Sequence, residues 1–177
     1  AQTVTYTVTP TSIGGLCTGN GQTVTITVSP TPTLTSSLTP TAICSNSNFS
    51  YMATSATAGV SFSWTRPIVA GISNPAGSGS SANINETLVN TTTAPITVNY
   101  IFTLRLSDNS CPNTQTVSVV VNPTPILSSS LTPPAICSGS TFSYLPASAT
   151  SGTTFSWSRA LVAGISEAGA SGTNNPN

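Results

Sequence analysis

Apolar residues recur at every second position over several short stretches of this chain, and nowhere at helical spacing for longer than a turn. Val98, Tyr100, Phe102, Leu104 and Leu106 fall on one side of an extended segment. Thr97, Asn99, Thr103, Arg105 and Ser107 fall on the other, with Ile101 the exception, so this segment predicts a strand buried on one face. Val117, Val119 and Val121 against Thr116 and Ser118 predict the next strand, and Val24, Ile26 and Val28 predict its counterpart near the start of the chain. Val4, Tyr6 and Val8 alternate with Thr3, Thr5, Thr7 and Thr9 in the same way. Phe49, Tyr51 and Ala53 give a further candidate, and Phe62 with Trp64 another. Residues 77–81, Gly-Ser-Gly-Ser-Ser, read as a flexible loop before a strand holding Ile84 and Leu88. Short strands with turn signals at roughly 8–12-residue spacing predict an all-β sandwich. Phe62, Trp64, Tyr100, Phe102 and Trp157 are its expected core aromatics.

The pattern then repeats. Residues 38–69, LTPTAICSNSNFSYMATSATAGVSFSWTRPIV, return as residues 131–162, LTPPAICSGSTFSYLPASATSGTTFSWSRALV, at a constant offset of 93. Cys44 maps to Cys137, Trp64 to Trp157 and Gly71 to Gly164. QTVTITVSPTPTL from Gln22 matches QTVSVVVNPTPIL from Gln115 at the same offset, while Tyr6 and Cys17 match Tyr100 and Cys111 at 94, a one-residue loop difference. Pro30 and Pro32, and likewise Pro123 and Pro125, stiffen the chain after the last strand of a unit and mark a linker. The expected organisation is the closing part of one repeat over 1–32, a complete repeat over 33–125 and the opening part of a third over 126–177. Such an array extends in one dimension.

Composition narrows the chemistry. Only Arg66, Arg105, Arg159, Glu86, Asp108 and Glu167 of the 177 residues are charged, with net charge zero, whereas Thr and Ser together number 61. Without a basic patch, nucleic-acid binding is not expected, and no apolar run approaches the length of a membrane span. There is no His and no Lys, which removes Ser-His and Cys-His pairs, histidine metal sites, Schiff bases, a P-loop lysine and Lys-Asn isopeptide staples. No catalytic, cofactor-binding or metal residue is expected, and the chain is read as a non-enzyme. Asp108 and Glu86 are too few for a calcium cage. Thr-x-Thr runs are ordinary exposed strand sequence. Asn48, Asn85 and Asn90 head N-glycosylation sequons that chance supplies in so Asn- and Thr-rich a chain. The AQTVTYTVTP start carries no signal-peptide pattern, so an export signal is expected to have been removed or to lie outside this sequence.

Taken together, ICSNSNFSY, FSWTR, VAGIS, INETLVNTT and the closing QTVSVVVNPTP resemble the PKD-like repeats of large secreted surface proteins of Bacteroidota, including gliding-adhesin-like proteins. The resemblance spans essentially the whole chain. It implies an immunoglobulin-like fold, export by the type IX system to the cell surface, and a stalk or adhesive role, with no catalytic residues to carry over.

In an exported protein four cysteines are expected to be bridged. Each repeat supplies two, one before the Phe-Ser-Tyr strand and one between the last two strands, which suggests Cys44 with Cys111 inside the complete repeat. Cys17 and Cys137 would then find partners in adjacent repeats or subunits. Bridges between repeats, or free thiols, remain open alternatives, because the first and last loops of a seven-strand sandwich lie at opposite ends. The function expected is a surface fibre, filament or adhesin stalk whose repeats join neighbouring repeats or identical subunits head to tail, covalently or by strand complementation. A carbohydrate- or surface-binding module using a loop such as 73–82, or a spacer in a larger secreted enzyme, are the alternatives.

Overall fold

The computed structural model describes residues 1–15, 17–108, 110–173 and 175–176, and the chain is all-β. Strands β1 (Gln2–Val8) and β2 (Gln22–Val28) form an antiparallel hairpin by themselves. Next come β3 (Ile43–Cys44), β4 (Asn48–Met52), β5 (Val60–Arg66), β6 (Gly77–Gly79), β7 (Asn83–Thr87), β8 (Ile96–Leu106) and β9 (Asn113–Asn122). The last two, β10 (Ser156–Arg159) and β11 (Ala170–Thr173), pair with each other.

Strands β3 to β9 make an immunoglobulin-like sandwich. One sheet has the order β3-β9-β8-β5-β6 and the other pairs β4 with β7. All pairs are antiparallel except the short β3, which runs parallel to the end of β9. Between the sheets lie Val98, Tyr100, Phe102 and Leu104 of β8, Val117, Val119 and Val121 of β9, Phe49 of β4, Trp64 of β5 and Ile84 of β7, all buried. The alternation predicted for β8 and β9 is therefore the face turned to β4 and β7, and Ile101, the exception in the pattern, is exposed. Tyr100 is central to the aromatic packing. Its ring centroid is 5.3 Å from that of Phe49 and 5.5 Å, edge-on, from that of Trp64, an arrangement worth about 0.5–1.5 kcal/mol per pair beyond area burial. Phe62 is half-buried at the margin of this cluster. Trp157 is half-buried and stands outside it, in the segment after the second linker.

Residues 77–81 are not wholly a flexible loop, because Gly77–Gly79 is an edge strand on β5. The physical reason is the indole of Trp64, the cross-strand partner of Gly79. A Cβ on Gly79 would sit 2.7 Å from the Trp64 ring, and one on Gly77 would sit 2.8 Å from the Glu86 carboxylate, so only glycine lets the edge strand close over these side chains.

Candidate functional site

The two flanking segments reproduce parts of the complete sandwich, the hairpin in its register and the later segment in several local contacts. In the first hairpin Tyr6 pairs with Val24, Val4 with Ile26 and Gln2 with Val28. At the corresponding positions Tyr100 pairs with Val117, Val98 with Val119 and Ile96 with Val121. Yet Tyr6 is 55% exposed and Tyr100 fully buried, and Val4, Val24, Ile26 and Val28 are exposed where their counterparts are buried. The hairpin thus displays as surface the apolar face that elsewhere is core.

Residues 126–177 carry the complementary part. Trp157 pairs with Gly172 as Trp64 pairs with Gly79, and the Leu127–Ser148 bridge repeats Leu34–Ser55. The Tyr144 hydroxyl lies 2.6 Å from the Ser129 hydroxyl, as Tyr51 lies 2.7 Å from Ser36. Phe142 stacks on Tyr144 as Phe49 does on Tyr51. Phe142 and Leu145 are outside any strand here, whereas their counterparts Phe49 and Met52 are held in β4 by β7. Local turns and stacks thus form here although the stretch equivalent to β4 is not in a strand. Leu127, Phe142 and Ile165 are exposed where their counterparts Leu34, Phe49 and Ile72 are buried.

Each linker meets one cysteine. At the incoming linker the Cys111 thiol points at the carbonyl of Ser29, 3.9 Å away. Cys111 holds a left-handed φ of 49°, and the linker is fastened beside it, with the Asn113 side-chain amide donating to the Pro32 carbonyl at 2.8 Å. At the outgoing linker Cys44 stands in register with Asn122, the residue before Pro123. That end is built around Asn90, which is buried. Its side-chain amide donates to the carbonyls of Ala94 (2.8 Å) and Val121 (2.9 Å), its backbone N–H donates to the Ser45 hydroxyl (2.9 Å), and Ser45 N–H donates to the Asn122 carbonyl (2.8 Å). Asn90 is therefore closed to a glycan, unlike Asn48 and Asn85, which are exposed.

The Cys44–Cys111 bridge expected inside the repeat is not formed, and the two cysteines lie at opposite ends of β9. All four thiols are free. Cys44 lies beside the last residue of β9 and Cys111 just before its first, so the 10-residue strand separates them by about 30 Å at its rise of ~3.3 Å per residue. A disulfide requires Cα atoms within ~7 Å. The separation agrees with the opposite placement of the first and last loops that left the alternatives open.

The charges of the sandwich interior form one network that the sequence did not announce. Arg66, 2% exposed, donates from Nε to Glu86 Oε2 (2.9 Å) and from Nη2 to Glu86 Oε1 (3.2 Å) and the Pro75 carbonyl (2.7 Å). Tyr100 donates its hydroxyl to Glu86 Oε2 at 2.6 Å. Burial pushes the Glu86 carboxyl up, but the hydrogen bonds from Arg66 and Tyr100 and the Arg66 charge outweigh it and hold it below its ordinary value. Burial, and then its bond to Glu86, push the Tyr100 phenol far above its ordinary value. The counterparts Arg159 and Tyr6 lie in different segments, and Arg159 keeps the contact equivalent to the Pro75 one, donating to Ala168. Glu86 is thus committed inward while Asp108 caps its own loop by accepting the Ser110 N–H at 2.9 Å, so the two acidic residues serve separate structural ends. Among the described residues no group of three or more potential metal ligands gathers, and no helix is long and apolar enough to cross a membrane.

The sequence model of the PKD-like domain matches residues 1–32 and 41–125, two stretches that together cover about two thirds of the chain. No curated protein matches it. Domains of this kind are, as a rule, extracellular structural or adhesive modules without catalysis. With the immunoglobulin-like sandwich of residues 43–122 and the match on both sides of the first linker, the chain belongs to the PKD-like domain family.

Proposed function

We propose that this chain is the building unit of an extracellular surface fibre or adhesin stalk, in which every 1–32-type hairpin is covered by a 126–177-type opening segment to complete a sandwich. The observation that carries this reading is the apolar face of β1–β2, identical in register to buried β8–β9 but open to solvent. The same cover is supplied covalently when repeats follow in one chain, or by strand complementation between copies. Because the hairpin and the opening segment lie at opposite ends, such a contact is heterologous and propagates without closing. The near absence of charge suits a shaft that binds few ions and presents few trypsin sites, Arg66 being followed by Pro67, and the resemblance to Bacteroidota surface proteins points to export by the type IX system.

Electron microscopy of the native material tests the reading. Unbranched fibres should show a beaded axial period of roughly 40 Å, the length of an 11-strand-residue sandwich such as that built on β8 at ~3.4 Å per residue. A native protein found as a compact monomer of this length, with the β1–β2 face still open, would sink it. Cells lacking type IX secretion should lose the fibres from their surface.

A further inference from the structure

The two cysteines of a repeat lie at opposite ends, and the repeat's own symmetry brings unlike cysteines of neighbouring repeats together. Cys44 is in register with Asn122, whose counterpart at the offset of 93 is Ser29. The repeat that ends at Ser29 therefore places its Cys44-type cysteine beside Ser29, one strand spacing of ~4.8 Å away. Cys111, from the following repeat, points its thiol at the carbonyl of the same Ser29, 3.9 Å away. Both cysteines thus converge on one residue of the linker, from opposite sides of the junction.

We propose that each junction is closed by a disulfide between the Cys44-type cysteine of one repeat and the Cys111-type cysteine of the next. Within residues 1–177 each linker holds only one member of the pair, Cys111 at the first and Cys44 at the second. The partner is a neighbouring repeat, in a longer chain or in a second copy. In head-to-tail copies the assignment is specific. The hairpin of the second copy completes the 126–177 segment of the first, so Cys44 meets Cys17 of the next copy and Cys137 meets its Cys111.

Both ends are built for such a bond. Cys44 is exposed beside the Asn90–Ser45 knot that fixes its backbone, and Cys111 is set by its left-handed turn and by the Asn113–Pro32 bond, so little ordering remains to be done when the sulfurs meet. In the reaction two thiols lose two protons and two electrons to form one S–S bond, and a small-molecule disulfide such as oxidised glutathione is reduced to two thiols. Bridges across junctions, unlike bridges inside a sandwich, carry tension from one repeat to the next and lock the angle at each Pro-rich linker.

The inference rests on the stalk reading, and the experiment separates the two. The chain is incubated with oxidised glutathione or with reductant, its assembly is followed by sedimentation, and the oxidised material is blocked with alkylating agent and digested with pepsin in acid, where exchange is slow. Linked peptides joining Cys44 to Cys17 and Cys137 to Cys111 are expected, in multimers that reductant converts to denaturant-separable monomers. Cys44→Ser should remove the first link and leave the second, which guards against a variant that fails for other reasons. A Cys44–Cys111 peptide, links between like cysteines, or four alkylated thiols in assembled chains overturn the junction bridge while leaving the stalk. Chains that remain monomeric under both conditions overturn strand complementation between copies and, with it, the assignment of Cys44 to Cys17 and of Cys137 to Cys111.

Discussion

Glu86 is the hinge of the polar network inside an otherwise apolar sandwich, because it alone neutralises Arg66 and accepts from Tyr100. Glu86→Gln leaves the buried guanidinium without a counter-charge. The expected loss is about 2–3 kcal/mol, toward the low end for a broken buried pair because the carboxylate is part-exposed, and denaturant unfolding measures it. The pH dependence follows from the same contacts. Since the folded carboxyl is held below its ordinary 4.5, its stabilisation is complete above that pH and is lost as acid carries the pH down through the folded value. The Tyr100 phenol is raised above its ordinary 10.0, so its contribution is complete below pH 10 and is lost as the pH rises beyond it. Melting temperature should therefore be flat between pH 5 and about 9, fall on both sides, and lose its acid limb in Glu86→Gln. Tyr51, also raised by burial against its bond to Ser36, adds to the alkaline limb. Gly79→Ala is expected to cost as much as an overpacked core site, roughly 1–3 kcal/mol, because its Cβ would meet the Trp64 indole at 2.7 Å.

At the scale of elements, the same substitution has opposite consequences in equivalent strands. Val119→Asp puts a carboxylate into the sandwich core and should unfold residues 43–122, whereas Ile26→Asp, at the equivalent site of the open hairpin, should leave the melting of the isolated chain within about 0.5 kcal/mol of the parent. Ile26→Asp should nonetheless abolish assembly, as sedimentation would show, because the charge would be buried on docking. How much of this was legible depended on what each signal encodes. Period-2 alternation identifies a strand and its inner face, so β1, β2, β8 and β9 were read correctly from Tyr6, Ile26, Tyr100 and Val119, and the 93-residue offset needed only the letters. Alternation does not say which neighbour covers that face, so nothing in Val4 or Val24 distinguished an open hairpin from a buried one. Gly77 and Gly79 read as loop because their role lies in the Trp64 ring across the strand. Arg66 and Glu86 are 20 residues apart and each looks like a surface charge until β5 and β7 face each other. Cys44 and Cys111 share a unit in sequence but occupy opposite ends of β9 in space.

For the whole molecule, the decisive quantity is the charge that is missing. Six charged residues in 177, two of them paired inside the sandwich, leave almost nothing for ions to screen at a junction between repeats. What would cover the open hairpin is instead apolar area: Val4, Tyr6, Val24, Ile26 and Val28 on one side and, on the other, Leu127, Phe142 and Ile165, exposed where their counterparts Leu34, Phe49 and Ile72 are core. Burial of that kind is strengthened rather than weakened by kosmotropic salt. An assembly held by ion pairs loosens as the Debye length shrinks from about 30 Å at 0.01 M salt to about 3 Å at 1 M. Assembly of this chain should therefore be indifferent to sodium chloride across that range and promoted by ammonium sulfate. It should weaken on cooling, since apolar association loses its driving force at low temperature. Light scattering of reduced protein, where no junction bridge can form, isolates the non-covalent contact. Dissolution of the assemblies by sodium chloride alone would mean that the surfaces meeting at the junction are not the apolar faces of β1–β2 and the opening segment.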